Sequence, residues 1–148
     1  MYQLAQINIA RLLEPIDSPL LADFVADLDR INGIAEQSAG FVWRLKDENS
    51  NNATSIDPFN DKSLIVNISV WESAEALKQF VYNSGHIEVY LKRAKWFERM
   101  DKAHMALWWV KKGEMPTAEE GRDRLMYLQT HGETAHAFSF RHIFEPPI

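Results

Sequence analysis

The chain has 148 residues, of which 46% are hydrophobic, 25% charged and 11% aromatic, with five tryptophans. That is enough apolar material for one core of ordinary globular size, and residues 1–148 read as a single domain. A net charge of −5, with no Lys/Arg run longer than a pair, argues against nucleic acid as a partner, and the absence of cysteine excludes disulfides, thiolate zinc sites and cysteine nucleophiles.

The opening stretch MYQLAQINIARLLEP shows no basic leader or cleavage pattern, and no apolar run approaches a membrane span, which points to a cytoplasmic protein without membrane association. Residues 2–12 alternate as a first strand, with Tyr2, Leu4, Gln6 and Asn8 on one side and Ala5, Ile7, Ile9 and Arg11 on the other. Ser18-Pro19 is a helix start, serine as cap and proline at the first position. Leu21, Phe24, Leu28, Ile31 and Ala35 then form an apolar stripe at helical spacing, which Gly40 ends. Residues 41–45 (FVWRL) are a second strand. The polar run 48–61 is long for a hairpin tip; Phe59 within it hints at a lid.

The third strand, residues 64–71, alternates most clearly. Leu64, Val66, Ile68 and Val70 form an aliphatic face; Ile65, Asn67, Ser69 and Trp71 form a mixed one. If this strand lies beside the first, Asn67 and Ser69 join Gln6 and Asn8 in one surface of amides, hydroxyl and indole. Ser73 caps a helix whose inner face is Leu77, Phe80 and Val81. After the Asn83-Ser84-Gly85 break, residues 86–100 read as a further helix with a very wide apolar arc. His86 and Arg93 fall inside that arc near Tyr90 and Phe97. A cation there needs a carboxylate, a ligand anion or a route to water, so Arg93 is either a structural ion pair or a pocket residue. His86 is likewise either a cap or a functional group.

Residues 104–110 are a fourth strand on which Trp108 and Trp109 point to opposite faces. If both are buried, both faces of the sheet are covered, which suggests a second copy of the chain. Thr117 to Glu120 form a capping box for a helix running to about Thr130, and residues 137–144 alternate as a last strand. There is no dinucleotide fingerprint, phosphate loop, nucleophile elbow or HExxH, and the five histidines show no metal spacing. A small-molecule pocket with aromatic walls and sparse polar groups is what remains, and a histidine in it can act as base toward an acidic phenol or enol.

The junction from Asn67 to Leu77 (NISVWESAEAL) resembles the dimeric α/β-barrel superfamily, which includes antibiotic-biosynthesis monooxygenases and haem-degrading monooxygenases. Over nearly the whole chain, VWESAEALKQFVYNSGH, KWFERM, ALWWVKKGEMPTAEEGRDRL and AFSFR resemble a bacterial family of unknown function within it. The resemblance implies an α+β fold, a ferredoxin-like antiparallel sheet with helices on one face, and a homodimer. Of the haem-degrading pattern, Asn8 matches the strand-one asparagine, but Phe80 or Val81 stands at the tryptophan position and Tyr90 or Leu91 near the histidine. The expected function is a cofactor-independent, metal-free monooxygenase-like enzyme acting on a small aromatic or polyketide-like molecule. His86 and Arg93 are its candidate catalytic residues; Asn8, Asn67, Trp71, Tyr90 and Phe97 are its candidate substrate contacts. A non-catalytic small-molecule-binding dimer and a haem-binding protein are the alternatives.

Overall fold

A computed structural model of the chain describes residues 1–47, 53–54, 56–83 and 93–147. Strand β1 (Tyr2–Leu12) is its axis. Helix α1 (Ala22–Gln37) follows, entered through a 3-10 turn at Pro19–Leu21, and leads to β2 (Phe41–Arg44) and β3 (Leu64–Trp71). Helix α2 (Ala74–Asn83), a 3-10 turn at Arg93–Lys95, β4 (Phe97–Glu98), β5 (Met105–Lys111) and helix α3 (Ala118–His131) complete it.

The sheet is antiparallel throughout. β1 pairs with β3 on one edge, with β5 and the short β4 sharing its other edge, and β2 lies outside β3. This is the ferredoxin-like β-α-β-β-α-β arrangement within an α+β fold, as expected. Alternation sorts the side chains. Ala5, Ile7 and Ile9 of β1, Val66, Ile68 and Val70 of β3, and Ala106, Trp108 and Val110 of β5 form one cluster with Ala118, Leu125 and Leu128 of α3. On the other face Leu4, Trp71 and Leu107 pack with Ala35 of α1, Leu77 of α2 and Phe138. So α1 and α2 share one face, while α3 covers the opposite one.

Trp108 and Trp109 do point to opposite faces. Trp108 is fully buried under α3; Trp109 packs with the Phe138–Phe144 segment and donates from Nε1 to the Phe144 carbonyl at 2.8 Å. Both indoles are thus covered within one chain, and they require no second copy.

Three further expectations are corrected. The helix expected over 86–100 does not extend through its C-terminal half: Arg93–Lys95 is a 3-10 turn, and Phe97 and Glu98 pair with Leu12 and Arg11. Trp96 is buried with Leu12, Leu21 and Phe24, so aromatic packing overrides the helical period there. Residues 86–92 lie outside the described residues. The strand expected at 137–144 shrinks to isolated bridges: Leu107 and Phe138 exchange both backbone hydrogen bonds, and so do Thr134 and Ala137. Phe59 is no lid: with Ile56 it packs against the cluster beneath α3, and Arg122 donates to the Pro58 carbonyl at 2.9 Å. The caps of α2 and α3 are as expected, Ser73 Oγ accepting from Ala76 N and Thr117 Oγ1 from Glu120 N. Ser18 Oγ, by contrast, is buried and bonds nothing.

Candidate functional site

The register of the three inner strands places polar residues in rows on the face shared with α1 and α2. Asn8 stands between Asn67 and Met105, Gln6 between Ser69 and Leu107, and Leu4 between Trp71 and Trp109. Side chains opposite one another in an antiparallel pair share a face and touch, and here they form a continuous hydrogen-bond chain. Asn8 Nδ2 donates to Gln6 Oε1 at 2.9 Å, and more loosely to Asn67 Oδ1 at 3.4 Å. Gln6 Nε2 donates to both Asn67 Oδ1 and Ser69 Oγ at 2.7 Å, and Trp71 Nε1 donates to the same hydroxyl at 2.8 Å. Gln6, Ser69 and Trp71 are buried, so these bonds hold groups that would otherwise be unpaired.

A cavity of about 1080 Å³ adjoins this row. Its aromatic walls are Phe24 of α1, Phe41 of β2, Trp71, Phe80 of α2 and Phe97 of β4. Trp71 stacks on Phe80 at 5.2 Å and meets Phe41 edge-on at 5.4 Å; Phe97 meets Phe24 edge-on at 5.0 Å. The volume is ample for a small molecule, and apolar walls with a few fixed polar groups are the usual makeup of such sites.

Two buried polar residues reach the cavity that the sequence pattern left unnoticed. Arg44 pairs with Ser69 across β2 and β3 because the register shifts between Phe41 and Trp43. Without that bulge Trp43 would stand opposite Ser69; with it Trp43 turns to the α3 face and Arg44 enters the cavity wall, 6% exposed. Asn32 lies one turn after Leu28 on the inner stripe of α1 and is 8% exposed. Asn on an otherwise apolar helix stripe is a legible signal; a bulge is not.

Of the residues expected from the sequence, Asn8, Asn67, Trp71 and Phe97 all line this one cavity. His86 and Tyr90 lie outside the described residues, as does the side chain of Arg93.

The opposite face carries a separate ionisable group. Trp108 Nε1 donates to Glu120 Oε2 at 3.2 Å, and the Arg124 guanidinium lies 5.9 Å above the Trp108 ring. Arg124 also donates to the His136 carbonyl at 2.8 Å. Burial first, then the Arg124 charge, holds the His136 imidazole below its ordinary value. His131 and His136 both pack on Tyr127, at 4.3 and 4.6 Å between rings. Among the described residues no three His, Asp or Glu side chains gather as a metal-binding group, and no described helix is long and apolar enough to cross a membrane.

The family model of a domain of unknown function, DUF3291, matches residues 3–148. The chain belongs to the DUF3291 family. No curated protein matches it. Among solved structures, the DUF3291 chain is similar to NE2512, a protein of unknown function from Nitrosomonas europaea, with 13% identity and a TM-score of 0.51. That match covers 80% of this chain and 98% of the other. It also matches SnoaB, a cofactor-independent oxygenase from Streptomyces nogalater, with 15% identity, a TM-score of 0.48, and coverage of 79% and 100%. The first is a likeness of fold; the second is too distant to carry one.

Proposed function

We propose that this protein binds a small aromatic or polyketide-like molecule in the cavity beside the amide row and oxygenates it without a cofactor. The observation that carries the reading is the row itself. Asn8, Gln6, Asn67 and Ser69 form a fixed polar strip, and aromatic rings wall the same cavity. A flat, oxygen-bearing ligand would stack on the rings and hydrogen-bond to the strip.

The chemistry asks little of the protein beyond binding an acidic phenol or enol and taking its proton. The resulting carbanion supplies the electrons for O2, so a ring CH2 becomes C=O, one oxygen atom entering the product and the other leaving as water. His86 is the sequence's candidate for the base. The fold class supports a homodimer as the working form.

Native mass spectrometry of the protein purified from its own host is expected to show a dimer retaining an aromatic molecule. Adding that molecule to aerated protein should consume O2 mole for mole. Binding without O2 uptake would leave a binding protein and remove the oxygenase. An empty protein that also ignores hydroxynaphthoate and anthrone probes would remove the reading, and a monomer would remove the dimer.

A further inference from the structure

We infer that the ligand of this cavity carries oxygen on two opposite edges, one held by the amide row on the sheet and the other by the Asn32 side chain on α1. This rests on the binding reading above and narrows it from aromatic molecules at large to those with a polar group at each edge.

Asn32 costs the fold twice. It lies inside α1, where asparagine is among the poorer residues because its amide competes for backbone groups. It is also 8% exposed, and taking an unpaired amide out of water is unfavourable. Neither cost is offset from within the chain: among the described residues no protein group hydrogen-bonds to its side chain. Its companions on the inner side of α1, Phe24, Leu28 and Ala35, are apolar and offer it nothing. Gln3 Oε1 and Ser18 Oγ are sealed away without a partner, but the Asn32 amide is not, and the cavity it lines is where it stays open.

The second observation is where α1 sits. It covers the sheet face that carries Asn8, Gln6, Asn67 and Ser69, and its Ala35, one turn after Asn32, packs with Leu4 and Trp71 of that face. Asn32 and the amide row therefore border one cavity from different walls, helix and sheet. An unpaired side-chain amide offers both donors and an acceptor, so it matches a neutral oxygen, whether carbonyl or hydroxyl. A flat ligand that expels water from the cavity but lacks an oxygen at this edge would leave the amide buried and unpaired. That penalty discriminates more sharply than the bond itself.

The test is quenching of tryptophan fluorescence under nitrogen, Trp71 forming part of the wall. The probes are α-naphthol and naphthohydroquinone, which differ by one hydroxyl at the far edge of the ring. Naphthohydroquinone is expected to bind about fivefold more tightly, the scale of one net hydrogen bond. Asn32→Leu, close in size, should erase that difference while leaving α-naphthol binding within about twofold. Asn32→Ala should erase it as well, and decides the matter if Asn32→Leu fails to fold. Equal binding of the two probes, or a preference that survives the substitution, would overturn the second oxygen and leave the aromatic reading standing. Binding of neither probe would overturn both.

Discussion

Ser69 is where the polar strip and the aromatic wall meet. Its hydroxyl accepts from an indole and an amide at once, and it is buried. Ser69→Ala deletes one oxygen and leaves two buried donors unpaired, which should cost on the order of 1–3 kcal/mol, read as a lower urea midpoint with unchanged slope. An unchanged midpoint would mean that water replaces the hydroxyl. At this scale much was legible before the fold was known. The period-two pattern alone put Asn8 with Gln6 and Asn67 with Trp71, and adjacency of the two strands then joined the four. Asn32 is legible too, as one polar residue in an apolar helical stripe, although the stripe alone gives it no partner.

Elements were less evenly legible. β1 and β3 emerged with the expected ends because β3 has a strictly aliphatic face and β1 has Ala5, Ile7 and Ile9 at the centre of one, and a slip of one residue would expose them. Residues 93–100 misled because their aromatics fit a helical arc and a packed 3-10 turn equally well, and contacts from Leu12, Leu21 and Phe24 decide between them. Residues 137–144 alternate but pair only at isolated bridges, Phe138 with Leu107 and Ala137 with Thr134, since the chain turns back to place Ser139 against Glu133. The turn into β2 is the most exacting local element. Gly40 has φ +83°, and a Cβ there would collide with the Ala76 side chain of α2. Gly40→Ala should therefore destabilise by about 2–4 kcal/mol, through backbone strain and overpacking together. Thermal unfolding measures this, and a loss under about 1 kcal/mol would show that α2 moves aside freely.

For the whole molecule, the main departure from expectation is that both sheet faces are covered within one chain. α1, α2 and the segment after α3 cover one, and α3 with Ile56 and Phe59 covers the other. Pattern alone placed α3 as an amphipathic helix but not the face it covers, because either face offers it apolar residues. The long connection between β2 and β3 is tied back electrostatically. Arg11 of β1 donates to Asp61 at 2.9 Å, and Ser63 donates to the same carboxylate from its hydroxyl and its backbone N–H. These bonds, Ser63 first, lower the Asp61 carboxyl from 3.8 to about 2. A carboxyl whose folded value is depressed stabilises fully above its unfolded value, and that contribution fades as pH falls through the folded one. Stability should thus fall between about pH 4 and pH 2 with an Asp61 component that Asp61→Asn lacks. Urea titrations of both proteins across that range check it, and parallel curves would show that the carboxylate is equally well served in the unfolded chain.

The bulge in β2 also bears on how such a pocket diversifies. The side chain that stands beside Ser69 is chosen by whether β2 pairs regularly after Phe41, not by its residues alone. Regular pairing of the same residues would set Trp43 beside Ser69 in place of Arg44, so a cationic wall would become an aromatic one without any substitution. Related chains could therefore keep the same Trp-Arg pair and still select ligands of opposite character, told apart only by how one short strand is paired.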